Sequence, residues 1–356
     1  MTVPFLDYSK LYTEYQPQVS QAMHNAMHGG RLILQKDVEE FESKFAAFLG
    51  VKHVVSLNSG TDALFFALIA AGVGPGDEVI TVSNTFIATI QVIHHLGATP
   101  ILVDVGEDGL MDIKQVAKAI TDKTKAIIPV HLSGDYVGKF SDEITIIEDA
   151  AQSIGAQGIG YGLVQCYSFY PAKVLGTFGD AGALATNDDA VAKRVRALRN
   201  HGNISKEPQA YYEFGWNSRL DNVWAAVLNV KLKYLERDLA RRKEIADYYN
   251  QVLKALPIGL PVNRPGRIWQ DYIIRAKDKQ ERNALAMFLR SEHKIETLQT
   301  DTPNHLYPGL GLDHFKLPVT ERITDTSLRI PCNHFMTLRE AGYVADAIKH
   351  FYALMQ

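Results

Sequence analysis

Three short segments of this chain carry residue types that, taken together, describe one chemistry. Ser59-Gly60-Thr61 stands between an apolar run and a helical pattern. Glycine there lets the backbone approach closely, and the first free helix amides, near Thr61, make a seat for an anion such as a phosphate. A plain Ser/Thr N-cap with an ordinary glycine turn is the bland alternative. Asp149 closes the apolar run ITIIED and begins Asp149-Ala150-Ala151-Gln152. An acid at the end of a buried strand must be paired. Its partner is either a lysine or arginine elsewhere or the protonated ring nitrogen of a ligand. Lys173 follows the aromatic run QCYSFY in Pro171-Ala172-Lys173 and precedes the glycine-rich VLGTFGDAGAL. Most lysines occupy solvated faces, but one held in an apolar pocket loses basicity, and its neutral amine forms Schiff bases. Ser168, five residues upstream, adds a hydroxyl suited to a phosphate site. A phosphate seat, an acid for a pyridinium and an imine-forming lysine are what pyridoxal 5′-phosphate requires.

These residues need a scaffold that brings strand ends together. Runs at 53–58, 78–83, 99–105, 124–132, 144–149, 165–170 and 182–187 read as strands. Helical patterns at 61–71, 86–96 and 112–120 alternate with the earlier ones, the last capped by Asp112. Near-continuous apolar strands separated by helices predict an α/β fold with a mostly parallel seven-stranded sheet covered on both faces. Ligands of such sheets bind at the carboxyl ends of the strands, where all three segments fall. From Asp221 to about Leu256 the pattern reads as one long charged helix joining two domains. The remainder, with strand-like WQDYIIR, a helix at about 279–293 and a final helix, predicts a smaller α+β domain. The expected division is 1–235 and 236–356.

Composition narrows the class. With 356 residues, 46% hydrophobic and 22% charged, the chain can bury a large core. A net charge of −3 leaves no basic excess for nucleic acid. Cys166 and Cys332 are too few for a disulfide framework or a four-ligand zinc site, which points to a reduced, cytoplasmic setting. No secretory leader and no membrane-spanning run is read. His94-His95 sit side by side on a helix and cannot form an i, i+4 metal pair, so no metal is expected. Gly158-Ile159-Gly160-Tyr161-Gly162 lacks the strand–helix context of a dinucleotide fingerprint. Arg194, Arg196 and Arg199 read as a solvated helix face, and Cys166 as pointing into the core beside Ser168.

NSGTDAL, SNTFIAT, TKAIIPVHLSG, IEDAAQ, SFYPAK, GDAGAL, WNSRLDNVWAA and the late LPVTERITDTSLRIPCNHFMT occur in that order. This ordered set resembles the DegT/DnrJ/EryC1/StrS family of nucleotide-sugar aminotransferases, a branch of fold-type I enzymes dependent on pyridoxal phosphate, over nearly the whole chain. The resemblance implies that Lys173 holds the cofactor as an imine and shuttles the proton, and that Asp149 pairs with the pyridine nitrogen. It gives Gln152 to the ring hydroxyl, Phe86 to stacking on the ring, and Gly60, Thr61 and Ser168 to the phosphate. It also implies that Asn217 reaches the phosphate of the neighbouring subunit, so that a homodimer shares its active sites. The implied substrates are a nucleotide-linked keto-sugar and an amino-acid donor, glutamate. The wording of the motifs is closest to enzymes aminating C3 of thymidine-diphosphate keto-6-deoxyhexoses. C4 amination and a UDP-linked N-acetyl or uronic sugar are the alternatives. The product would feed an O-antigen of lipopolysaccharide, another surface glycan or an antibiotic sugar. Arg219 and His201 are weak candidates for the diphosphate. A dehydratase relative would carry histidine in place of Lys173, and a regulatory relative would lose the lysine, the acid or the phosphate seat.

Some positions depart from the family pattern. His131-Leu132-Ser133-Gly134-Asp135 replaces a sequence with an aromatic and then glutamine. A helix between 137 and 144 is missing, and 155–164 is trimmed, which puts substrate contacts along that edge in doubt. Val174 stands where relatives carry asparagine.

Overall fold

Alternation within the apolar runs sends successive side chains to opposite faces and so builds two cores on one sheet. Val55 and Leu57 join one core with Leu64, Phe66 and Cys166, whereas Val54 joins the other with Phe41, Phe45, Tyr167 and Phe169. Cys166 therefore points into the core, as expected. The computed structural model describes residues 1–355 apart from 31, 141–142, 204 and 206–209. Its large sheet holds β1 (His53–Leu57), β2 (Glu78–Val82), β3 (Thr99–Val103), β4 (Thr124–Ile127), β5 (Thr145–Asp149), β6 (Val164–Ser168) and β7 (Gly182–Thr186). The order is β1-β7-β6-β5-β4-β2-β3. All neighbours pair in parallel except β7, which runs antiparallel to both β1 and β6. All seven expected strands are present. The fourth is shorter than its apolar run: Pro129 has no N–H to extend the ladder, and the chain turns at Leu132–Gly134 with Ser133 at φ 56°.

Helix Gly60–Ala70 packs on one face of the sheet and Lys36–Leu49 on the other. The long helix expected from Asp221 is broken. Asn222–Lys231 and Leu235–Leu253 are joined by a tight turn at Leu232–Tyr234. Its two halves serve different cores: Ala225 and Leu228 pack with the sheet, Ile245 and Tyr249 with the C-terminal part. Lys231 marks the break, buried over the Tyr15 and Phe178 rings and donating to the Gly176 carbonyl. Helices Gln18–His28, Lys36–Leu49 and Pro318–Thr326 lie outside the expected helical patterns, whereas Asp189–Leu198 carries Arg194 and Arg196 on a helix as expected.

The C-terminal part has a three-stranded antiparallel sheet, β8 (Tyr272–Arg275), β9 (Leu298–Gln299) and β10 (Ser327–Ile330), in the order β8-β10-β9. Helix Leu338–Leu354, begun by a capping box between Thr337 and Glu340, closes its core. Val3, from the other end of the chain, is buried in this same core and bridges Ile295.

One surface reading is corrected by partners elsewhere in the chain. Arg199 is buried against Glu42 and the Ser56 carbonyl, Arg194 pairs with Glu213, and Arg196 donates to the Val54 carbonyl, so none of the three is merely solvated. The glycine run at 158–162 wraps a protein carboxylate. Gly160 N and Gly162 N donate to Glu148 at 2.9 and 2.8 Å, and His131 Nε2 donates to it at 2.9 Å. Val137 N donates to His131 Nδ1, which fixes the proton on Nε2. Both side chains are fully buried. Glu148→Ala strands these donors and is expected to cost on the order of 3 kcal/mol of stability, seen as a lower urea midpoint. An unchanged midpoint would show that the cradle contributes nothing.

Candidate active site

A cleft of about 750 Å³ lies between the carboxyl ends of the large sheet and the C-terminal part. Seven of the eight expected site residues line it: Gly60, Thr61, Phe86, Asp149, Gln152, Ser168 and Lys173. At its floor, Ser59 Oγ accepts from Asp62 N and Ser59 O from Ala63 N, so both the N-cap and the glycine approach are real. The amides of Gly60 and Thr61 come before these bonds and face outward along the helix axis. The helix end is pressed onto the strands. A Cβ on Gly60 would stand 2.9 Å from Ser168 Cβ, and one on Gly182 would stand 2.2 Å from the Ser59 carbonyl carbon. Ser168 Oγ accepts from Tyr170 N at 3.3 Å, which leaves its proton to donate.

Asp149 ends β5 beside this seat. Its Oδ2 accepts from Thr89 Oγ1 at 2.8 Å, and Thr89 is itself bonded to Thr85 Oγ1. Its Oδ1 accepts from Ala151 N at 3.2 Å. Burial raises the carboxyl above its ordinary range, while the Thr89 and Ala151 bonds and the charge of Lys173 pull it down. Among the described residues no lysine or arginine forms an ion pair with it. Of the two partners left open by the sequence, a protein cation is thus excluded among those residues, and the acid faces the cleft.

Lys173 sits where the chain leaves β6, its N–H donating to the Tyr170 carbonyl at 2.9 Å. Burial depresses its ammonium, opposed first by Asp271 and then by Asp149, with Arg329 reinforcing the depression. The result is an amine more available as a nucleophile and base than a surface lysine. Gln152 Oε1 accepts from Ser133 N at 2.8 Å. Phe86 is 66% exposed, a bare ring on the cleft wall close to Asp149.

The eighth residue, Asn217, is exposed and does not line this cleft. It lies on a strand-like segment bridging Asn200, beside Phe214, which is 99% exposed. Arg219 and His201 do not line the cleft either. Arg219 donates to Asn200 Oδ1, and His201 N donates to the Trp216 carbonyl. At the departures from the family pattern, Asp135 accepts from Arg264 and Arg267 of the C-terminal part at 3.0 and 3.2 Å. That edge is committed to holding the two parts together. Of the shortened segment 137–144, residues 141 and 142 lie outside the described residues.

Several cleft residues went unread in the sequence. Thr89 follows Phe86 by one helical step and shares its face. Gln270 and Asp271 interrupt the apolar text of WQDYIIR, and Arg329 stands between Leu328 and Ile330 of β10. Polar residues inside apolar strand text were the available signal. Arg329 Nη2 donates to the Gln299 carbonyl and stands 3.6 Å from Asp301, Nη1 stands 3.8 Å from Asp271, and the buried Nε has no hydrogen-bond partner among the described residues. The N-terminal segment forms a strap over the cleft: Phe5 N donates to Glu296 and Asn333 Nδ2 to the Phe5 carbonyl.

Comparison with known proteins gives the geometry its context. Residues 14–349 match the model of the DegT/DnrJ/EryC1/StrS aminotransferase family. The chain is 37% identical, over 99% of both sequences, to a pleiotropic regulatory protein of Geobacillus stearothermophilus. It is 38% identical to a dTDP-3-amino-3,4,6-trideoxy-alpha-D-glucose transaminase of Streptomyces venezuelae, covering 98% of this chain and 96% of that one. The crystal structure of S. venezuelae DesV in complex with a ketimine intermediate superposes with a TM-score of 0.92 at 37% identity, covering 99% and 98% of the two chains.

Because burial raises the Asp149 carboxyl, its folded pKa lies above the unfolded value of about 3.9. Such a group stabilises the fold below the unfolded value and loses that contribution as pH rises through the folded one. In cofactor-free protein, Asp149→Asn is therefore expected to raise the unfolding midpoint at pH 7, the gain shrinking as pH falls toward about 4. A variant less stable than the parent at pH 7 would contradict an unpaired buried acid.

Proposed function

Since the chain belongs to the DegT/DnrJ/EryC1/StrS aminotransferase family, we propose that its cleft transfers an amino group to a nucleotide-linked keto-sugar, with pyridoxal 5′-phosphate as cofactor. One observation carries this reading: a depressed amine, a buried acid without a protein cation and an open helix end all face one cavity. The residues fit the cofactor. The amides of Gly60 and Thr61 with the Ser168 hydroxyl would take its phosphate, and Phe86 would cover its ring. Gln152 would meet the ring hydroxyl, and Asp149 would keep the ring nitrogen protonated. When bound, the cofactor supplies a carbonyl that accepts amines and an electron-withdrawing ring.

The rest of the chemistry belongs to the chain. Lys173 Nζ removes the proton from the α-carbon of the amino donor and, in the second half of the reaction, delivers a proton to the keto carbon of the sugar. The Arg329 guanidinium, on the cleft wall, meets the donor carboxylate. Phe5 and Leu6 on the N-terminal strap keep water from the reacting carbon. Glutamate is the proposed donor. C3 of a dTDP-3-keto-6-deoxyhexose is the proposed acceptor, supported by the likeness to the Streptomyces transaminase; a 4-keto sugar or a UDP-linked sugar is the alternative. The product serves a surface glycan, such as an O-antigen, or an antibiotic sugar. We place the protein in the cytoplasm, where its two free cysteines stay reduced. Among the described residues no helix is long and apolar enough to cross a membrane.

The regulatory name of one relative raises a second reading, a binding protein on the same scaffold. The retention of Lys173, Asp149 and the helix-end seat favours the enzyme. We further propose a homodimer in which Asn217 completes the partner's phosphate site. Its exposed position next to Phe214, Tyr212 and Trp216, away from its own cleft, supports this.

Purified protein should be yellow, borohydride should fix the cofactor to the peptide containing Lys173, and glutamate with the 3-keto sugar nucleotide should yield a 3-amino sugar by mass and NMR. A colourless protein that takes up no added cofactor sinks the enzyme reading; reaction with 4-keto sugars alone sinks the C3 assignment. Lys173→Ala and Asn217→Ala should each be inactive, yet refolded together they should recover about a quarter of the parent activity, because half the dimers then carry one intact site. No recovery would refute a shared site.

A further inference from the structure

The peptide that carries Lys173 is gripped from across the cleft. Gln270, just before β8, is 9% exposed and lines the cavity. Its Oε1 accepts from Val174 N at 3.2 Å and its Nε2 donates to the Ala172 carbonyl at 3.1 Å. One amide thus holds the peptide units on both sides of Lys173. Val174 contributes its side chain to the core and its N–H to this clamp. The clamp is itself anchored. Arg242 Nη1 donates to the carbonyls of Trp269, Gln270 and Cys332 at 3.1, 2.9 and 2.9 Å. Behind it, Arg242 Nε approaches His334 Nδ1 at 3.4 Å, and His334 Nε2 meets Tyr15 Oη, which donates to Asp238. The next residue, Asp271, is the carboxylate that acts most strongly on the Lys173 amine.

We propose that Gln270 is a positioning residue for Lys173: a two-point clamp through which the C-terminal part fixes where the amine stands between Asp149 and Asp271. This rests on the aminotransferase reading for its consequence, though the contacts stand without it. Glutamine suits the task because it offers one donor and one acceptor on a single rigid plane. An ionised glutamate cannot donate to the Ala172 carbonyl, and methionine can do neither. Proton transfer at two different carbons depends on the reach of one amine, and a displacement of about 1 Å costs as much as 100-fold in rate. Loosening the clamp also changes the distance from Lys173 to the two carboxylates that set its charge.

The test compares the parent with Gln270→Met and Gln270→Glu, both loaded with cofactor. Each variant should still bind the cofactor and be fixed by borohydride. Single-turnover rates with glutamate should fall roughly 10- to 100-fold in Gln270→Met, with KM for glutamate changed less than about 3-fold. The pH at which the bound cofactor changes its absorption should shift in both variants. Gln270→Glu, isosteric with the parent, keeps the comparison available should Gln270→Met fail to fold. A second readout needs no cofactor: the pH dependence with which Lys173 is labelled by trinitrobenzenesulfonate in apoprotein should shift in the variants. Parent-like rates, absorption profile and labelling, with only a lower melting temperature, would overturn the proposal and make Gln270 a structural contact. Failure of the parent to take up cofactor would instead strike the aminotransferase reading, and the labelling experiment would still decide the clamp.

Discussion

A buried carboxylate that forms no ion pair with a lysine or arginine among the described residues governs this cleft. Asp149 ends β5 inside the molecule, and two hydrogen bonds, from Thr89 and Ala151, are its direct protein support. Desolvating a carboxylate costs several kcal/mol, and two hydrogen bonds offset only part of that. The fold holds it there because Asp149 hangs from a central strand flanked by β4 and β6, at the wall of the cleft. The charge of Lys173 offsets part of what remains, and a protonated group bound in the cleft between Asp149 and Phe86 would offset more. On the proposed reading, the cofactor ring is that group.

Lys173 carries the opposite burden. Burial drives both groups toward their neutral forms, the acid upward and the amine downward. Asp271 limits how far the amine falls, and Asp271 comes from the far side of the cleft. The two parts of the chain are therefore joined electrostatically at the lysine, as well as mechanically through Gln270. The Asp135 pairs with Arg264 and Arg267, and the three bonds that Asp104 accepts from Val319 and Thr320, hold the same relation further out. A cleft whose reactive groups are tuned from both walls needs those walls kept in register. That need accounts for buried ion pairs where apolar contacts would have been simpler.

What was legible in the sequence was whatever local periodicity and strand ends encode. The seven apolar runs, the acid after the fifth and the lysine after the sixth all depend on neighbours within a few residues. The roles of Gln270, Asp271 and Arg329 were not legible, because they come from partners well outside local sequence: Gln270 and Asp271 act on residues 98 positions away, and Arg329 pairs with residues 28 to 58 positions away. The break at Leu232–Tyr234 escaped notice for a similar reason. Lys231 looks like a surface lysine until the Gly176 carbonyl and two aromatic rings close around it. Arg199 misled in the same way: its partners, Glu42 and Ser56, precede it by more than 140 residues. Polar residues are readable when the chain end of a strand explains them, and opaque when a distant element does.

Charge within one protomer also bears on how the substrate is held. The cationic side chains lining the cleft are Lys173, Arg242 and Arg329. Arg242 is spent on three carbonyls, and Arg329 stands between Asp271 and Asp301. Glu296 and Asp301 add negative charge at the same wall. A sugar diphosphate approaching this wall meets repulsion unless further cations enter from elsewhere. Arg219 and His201 belong to the region of Asn217 and do not line their own cleft. In the proposed dimer, that region of one protomer supplies what the other lacks. The weak assignment of Arg219 and His201 to the diphosphate then becomes coherent for the partner's site, where it fails for their own. On the proposed reading, the chemistry belongs to a single chain and recognition of the anionic handle belongs to the pair.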